Sequence, residues 1–186
     1  MSVRGFHLVR YARASLRAAL GGPAATPPQG EWCTVLGATF VTLRWQDGDL
    51  QGCIGSLEAD RPIVEDVAHN AVAAGTRDPR TQPCKLADVD KLDVALSILS
   101  PLELISSETE IRIGTDGVVL VHEFRRATFL PVMWERLRDT RTFMRELRRK
   151  AGLPRDFAGK VQLMRYTVEH FEDKAPGAAL EAAETS

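Results

Sequence analysis

Apolar residues recur at helical spacing at the start of the chain: Leu8, Val9, Ala12, Leu16, Ala19 and Leu20 form one stripe, and Gly21-Gly22 follows as a stop. The spacing predicts a helix within residues 1–22 that packs this stripe on a core while Arg4, Arg10, Arg13 and Arg17 face water. Residues 21–31 read as a Gly/Pro loop. From Thr34 to Trp45 the pattern becomes alternating, with Val41, Leu43 and Trp45 set against Thr42 and Arg44. Asp47-Gly48 marks a reversal and Leu50 to Ser56 returns, which predicts a hairpin. Asp60 and Pro62 open a helix to about Ala74. Its apolar side collects Ile63, Val64, Val67, Ala68, Ala71 and Ala74, and its polar side Glu65, Asp66, His69 and Asn70.

Arg77 to Pro83 is predicted to be a loop, and Leu92, Val94, Leu96 and Ile98 alternate in a strand. Asp116-Gly117 begins a second hairpin, pairing Val118–Val121 with Ala127–Leu130 across Glu123 to Arg126. Thr140 is expected to cap a helix with Phe143, Met144, Leu147 and Ala151 inward, ended by Gly152 and Pro154. Leu163 to Val168 reads as a final strand, and residues 174–186, rich in Ala, Gly and Glu, as a disordered tail. Hairpins mixed with helices, without a βαβ rhythm, place the chain in the α+β class, mainly antiparallel sheet flanked by helices. One compact unit over residues 1–173 is expected, divisible into two lobes.

Composition narrows the classes further. With 24 Lys plus Arg against 25 Asp plus Glu in 186 residues, the net charge of -1 gives no global attraction to nucleic acid or an anionic membrane. No apolar run approaches the ~20 residues that span a bilayer. Three cysteines without close pairing suit a reducing compartment, and they show no metal-ligand spacing. The acid-free, Arg-bearing start resembles a transit peptide, but its apolar stripe favours a helix built into the domain. Phosphate-loop, Rossmann and nucleophile-elbow motifs are absent.

The sharpest local feature is Leu50-Gln51-Gly52-Cys53-Ile54-Gly55, a thiol between two glycines on a returning strand. Gly52 and Gly55 remove side chains beside the sulfur, so a ligand or another backbone can approach closely. In a regular strand Gln51, Cys53 and Gly55 share one face. A cysteine in such a place is either a small packing hydrophobe or a reactive or liganding thiol. Asp78-Pro79-Arg80 presents a carboxylate and a guanidinium together, either to orient a polar ligand or to pin its own loop. His69, one turn from Glu65 and Asp66, reads as a general base or as part of a solvated face. Arg141, Arg145, Arg148 and Arg149 form a stripe for phosphate or an acidic partner, or again a solvated face.

Taken in order, Phe40-Val41-Thr42-Leu43, LQGCIGSLEADRP, the RDPR loop, LDVALSILSPLE, DGVVL, RRATFLP, KAGLP and RYTVEHFE resemble the AmmeMemoRadiSam system protein A family, the bacterial and archaeal branch of the AMMECR domain, over about residues 6 to 172. The resemblance implies a two-lobed α+β fold, a cleft near the Cys-containing motif, a cytoplasmic location, and a Memo-like protein and a radical SAM protein as partners. It supplies no reaction. Cys53, Gly52, Gly55, Asp78 and Arg80 match positions that the family pattern emphasises. The chain departs from the pattern at Gln51 (Arg in relatives), Thr81 (Phe), Ala95 (an acid) and Val132 (Gln). Joint loss of an Arg at 51 and an acid at 95 would avoid an orphan buried charge if the two groups pair in relatives.

Two functions follow as expectations. In the first, the protein is a binding or accessory module working with the Memo-like and radical SAM proteins. In the second, it is a small-molecule enzyme with Cys53 as thiolate nucleophile or ligand, Asp78 and Arg80 as catalytic groups, and Gln51, Gly52, Gly55, His69 and Asn70 lining the ligand. No cofactor is indicated, no metal is expected, and nucleic acid and membrane are not expected partners.

Overall fold

The computed structural model describes residues 3–176. It falls into two compact units, one formed by the chain up to Ile98 and from Glu169, the other by Leu99–Val168. The first is therefore discontinuous and the second sits within it in sequence.

The first unit contains helices α1 (Val3–Ala19) and α2 (Ile63–Thr76) and a four-stranded sheet. Its strands are β1 (Ala38–Trp45), β2 (Leu50–Gly55), β3 (Leu92–Leu99) and, from the end of the chain, β8 (Val168–Asp173). Their spatial order is β2-β1-β3-β8. One core joins Leu8, Val9 and Leu16 of α1, Val67 and Ala71 of α2, Val41 and Leu43 of β1, and Val94 and Leu96 of β3. Each Leu or Val among them, when fully buried, contributes roughly 1.5–3 kcal/mol. The alternation expected for β3 is present, with Leu92, Val94, Leu96 and Ile98 inward.

Residues Glu31–Thr34 form a 3-10 turn, so β1 begins four residues after the predicted start. Ala19 is exposed rather than on the packed stripe. Arg13 is 7% exposed, not solvated. Its Nε donates to Asp173 Oδ2, its Nη1 to the carbonyls of Val89 and Leu92, and its Nη2 to those of Asp173 and Lys174. An apolar stripe counts side-chain type only, and here the backbone of two distant segments supplies acceptors for a buried guanidinium. Nor is the polar side of α2 solvated throughout: Asp66 and Asn70 are buried.

The second unit pairs helix α3 (Thr140–Lys150) with a sheet of β4 (Glu103–Ile105), β5 (Gly117–His122), β6 (Arg125–Phe129) and β7 (Gln162–Tyr166), ordered β4-β7-β5-β6. The β4–β7, β7–β5 and β5–β6 pairs are antiparallel, as is β1–β2 in the first unit. The β5–β6 hairpin is tighter than expected. His122 pairs with Arg125, so the turn is Glu123-Phe124, with Glu123 at φ 54°. Phe143, Met144 and Leu147 face the core as predicted. The cap is Asp139, whose carboxylate accepts the Thr142 N–H at 2.8 Å, and Thr140 is the first helical residue. Leu153 N–H donates to Arg148 O at 2.9 Å and Gly152 N–H to Arg149 O at 3.0 Å, closing the helix end.

The predicted final strand is two strands. β7 ends at Tyr166, and after Thr167 the chain enters β8 in the other sheet. The start of the expected tail also moves. Lys174 Nζ donates to Asp93 Oδ2 at 2.9 Å and the Ala175 amide to Asp93 Oδ1 at 2.8 Å. Residues 177–186 of that segment lie outside the described residues.

Candidate functional site

The hairpin register fixes what surrounds Cys53. Thr42 lies opposite Cys53, and Phe40 opposite Gly55, while Leu43 faces Gly52 across the pair. Gly52 and Ile54 turn towards the helices; Cys53 and Gly55 turn to the other face. A shift in register between Leu43 and Arg44 leaves Gln51 as the extra residue of a bulge, so the regular alternation expected from Gln51 to Gly55 is broken at its first member.

Both glycines are required by close approach. A Cβ on Gly52 would sit 1.9 Å from the carbonyl oxygen of Ala74, near the end of α2. One on Gly55 would meet the Phe40 ring at 2.2 Å. These positions are filled by the protein itself, rather than held open for a ligand beneath the strand.

β2 is an edge strand, and its outward backbone groups meet the loop after α2. The N–H of Cys53 donates to Asp78 Oδ2 at 2.8 Å, and Arg80 Nη2 donates to the Cys53 carbonyl at 3.3 Å. Thr81 Oγ1 donates to the Gln51 carbonyl at 2.5 Å, and Gln51 Nε2 donates to the Gln82 carbonyl at 2.7 Å. The loop thus does with side chains what a neighbouring strand would do with its main chain. Asp78, 4% exposed, accepts two further bonds on Oδ1, from the Arg80 amide at 3.0 Å and Arg80 Nε at 2.9 Å. Arg80 Nη2 completes the fork on Oδ2 at 2.6 Å. The guanidinium, with smaller help from the Cys53 and Arg80 amides, holds the Asp78 carboxyl far below the usual carboxylate range against the opposing effect of burial. The same pair raises Arg80, to which Cys53 adds a smaller contribution.

The half-buried Cys53 sulfur accepts a hydrogen bond from Thr42 Oγ1 at 3.2 Å. Thr42 was not among the candidates, although the Asp47-Gly48 turn sets the register that places it opposite the thiol. Cys33 donates to the Pro28 carbonyl at 3.2 Å, and burial pushes the Cys84 thiol up; both read as packing.

Six of the eight candidates therefore meet: Gln51, Gly52, Cys53, Gly55, Asp78 and Arg80. Asn70 belongs elsewhere. Its Nδ2 donates to Asp66 Oδ2 and the Thr39 carbonyl, and Asp66 also accepts from Thr39 N, Thr39 Oγ1 and Ser56 Oγ. This buried network fastens α2 to β1 and to Ser56, the residue after β2, and leaves Asn70 committed to the fold. His69 is exposed on α2 and joins neither group.

The departures from the family pattern also regroup. Gln51 and Ala95 lie on strands β2 and β3, which are separated by β1, whereas Gln51 bonds through its own loop partners. The pairing that the structure shows is Gln51 with Thr81 and Gln82. Three of the four arginines of the stripe are compensated: Arg145 pairs with Asp156 at 3.3 Å, Arg149 with Glu146 at 2.8 Å, and Arg148 with Glu108. A surface depression of ≈ 630 Å³ lined by Leu104, His122, Lys160 and Gln162 belongs to the second unit and includes none of the candidates. Among the described residues no group of three His, Cys, Asp or Glu is placed to hold a metal ion, and no helix is long and apolar enough to cross a membrane.

These features define an α+β protein whose sheet edge carries a glycine-framed thiol and a side-chain brace. Comparison with known proteins gives the family: the AMMECR1 model matches residues 9–171, and the chain belongs to the AMMECR1 family. It is 35% identical over 183 residues to Protein MJ0810 of Methanocaldococcus jannaschii, covering 92% of this chain and 91% of that one. It is 34% identical to Protein PH0010 of Pyrococcus horikoshii, with the same coverage. The crystal structure of that uncharacterised Pyrococcus protein superposes with a TM-score of 0.84 at 31% identity over 93% of each chain.

Proposed function

We propose that the protein is a binding or accessory module, acting in the cytoplasm with a Memo-like protein and a radical SAM protein as its resemblance implies. The observation that supports this reading is the state of Asp78. All four of its acceptor positions are filled by Arg80 and the Cys53 amide, so it has no lone pair directed at a substrate. A carboxylate held this far below its ordinary range keeps its charge and does not exchange protons near neutral pH. Asp78 and Arg80 act as a brace, and the thiol is displayed on the strand that they hold.

Native co-purification tests the reading. Tagged protein should retain the Memo-like or radical SAM protein, and Cys53→Ala should weaken that retention while leaving the fold intact. Absence of both partners at every salt concentration overturns it.

A second reading keeps Cys53 as a thiolate nucleophile or ligand, favoured by the Thr42 hydroxyl and the neighbouring Arg80 guanidinium. Alkylation across pH separates the two. A Cys53 that reacts no faster than a model thiol at any pH removes the second reading.

A further inference from the structure

The brace covers only part of the β2 edge. Ser56 N–H donates to the Thr39 carbonyl at 2.9 Å, which makes Thr39–Ser56 a hydrogen-bonded pair. Antiparallel ladders alternate, so Phe40–Gly55 and Thr42–Cys53 are pairs whose amides and carbonyls point away from each other. For Cys53 this agrees with its bonds to Asp78 and Arg80. The N–H and C=O of Gly55 point out of the sheet in the same direction, and they bond to none of the described residues. Two residues from the thiol, an edge strand therefore offers an open donor–acceptor pair at its rim, with the Phe40 ring packed over the Gly55 face.

Two residues along the same edge, at the Cys53 carbonyl, stands the Arg80 guanidinium. Its Nε and Nη2 are committed to Asp78 and Cys53, while Nη1 donates to none of the described residues and the side chain is 58% exposed. A planar cation fixed on one edge and open on the other suits a carboxylate.

From this juxtaposition we infer that the β2 edge binds an extended, acidic segment of a partner protein, which pairs its main chain with Gly55 and sets a carboxylate against Arg80 Nη1. The segment adds a strand beyond the end of the brace, which keeps the backbone groups of Cys53 for Asp78 and Arg80. This rests on the binding-module reading and names the chemistry of the partner.

The test uses the full chain and changes only the ligand, so folding of a variant is not in question. The probe is acetyl-Thr-Val-Glu-Val-Thr-amide, with two N-methylated forms, one methylated at the second and fourth residues and one at the first, third and fifth. Strand addition uses the amides of one set only. One form should therefore bind about tenfold more weakly than the parent and the other about as well. Replacing the Glu by Gln should weaken binding several-fold and flatten its salt dependence. In amide-resolved NMR the largest shifts should fall on Gly55 and Cys53. The inference is overturned if both methylated forms bind like the parent, if the shifts fall on the β4 or β6 edge instead, or if millimolar peptide produces no shift. Partners that still co-purify while the peptide fails remove the edge inference alone; loss of the partners removes the module reading as well.

Discussion

Two aspartates, one in each unit, show how the same local chemistry serves different ends. Asp78 and Asp116 are both buried, and each receives a forked arginine and that arginine's own amide. Each arginine keeps more than half of its side chain in water. All of the carboxylate bonds to Asp116 come from Arg112, four residues earlier, so that pair closes a turn. Asp78 takes one bond that Asp116 lacks, from the amide of Cys53, 25 residues away. That single bond converts a loop staple into a tie between the loop and the thiol-bearing strand. An Asp and an Arg at close spacing do not reveal which of the two they form; the third partner does.

The strand glycine beside each aspartate gives the strongest way to sharpen this contrast. A Cβ on Gly52 meets the Ala74 main chain, while a Cβ on Gly117 meets the Tyr166 ring at 2.4 Å. Backbone at a helix end yields less than a side chain. Gly52→Ala should cost about 3 kcal/mol or more, and Gly117→Ala about 1–2 kcal/mol, by denaturant unfolding. Equal losses would show that the two seats are equally compliant.

Next in size, Asp78→Asn should cost about 2 kcal/mol, since charge-assisted bonds are exchanged for weaker ones and the Cys53 amide loses its acceptor's charge. It should also accelerate Cys53 alkylation several-fold, because the strand edge loosens. Asp116→Asn should lower stability but leave the alkylation rate unchanged. An alkylation rate that responds equally to both substitutions would erase the distinction drawn here.

The same tie has a pH signature. The folded-state pKa of Asp78 is depressed, so its stabilisation is whole above the unfolded value near 4 and is lost as pH falls towards the folded value. The stability gap between the native chain and Asp78→Asn should be flat from pH 5 to 8 and narrow below about pH 4. A gap that closes between pH 5 and 8 would contradict the depressed carboxyl. The smallest effect belongs to Thr42→Val, which removes the donor to the Cys53 sulfur. It should shift the alkylation rate at neutral pH while costing no more than about 1 kcal/mol in unfolding.

Much of the fold was legible because it follows from local periodicity. The alternation of Leu92 to Ile98, the β1–β2 and β5–β6 hairpins and the inward face of α3 are properties of a few adjacent residues. The misreadings share the opposite character. Arg13 is buried because carbonyls at 89, 92, 173 and 174 converge on it, and Asp66 and Asn70 because Thr39 and Ser56 meet them. No spacing within a helix reports such partners. At the site, the motif from Gln51 to Gly55 and the Asp78–Arg80 pair stood out in the sequence, and pinning of the loop was one of the two readings open for that pair. The bulge at Gln51 and the bonds from the 78–82 loop to β2 were hidden, since they depend on where the end of α2 delivers the chain.

The Arg13 cluster bears on how the protein is made. A ribosome releases the segment around Asp173 long after α1, yet all five N–H groups of this guanidinium need acceptors, and three of them lie at Asp173 and Lys174. The first unit therefore cannot complete its buried arginine until Asp173 and Lys174 have emerged, whereas the second unit, continuous from Leu99 to Val168, has all of its strands by then. Synthesis should yield the inserted unit first and leave the N-terminal helix waiting for the last strand, the reverse of the order in which the two are encoded.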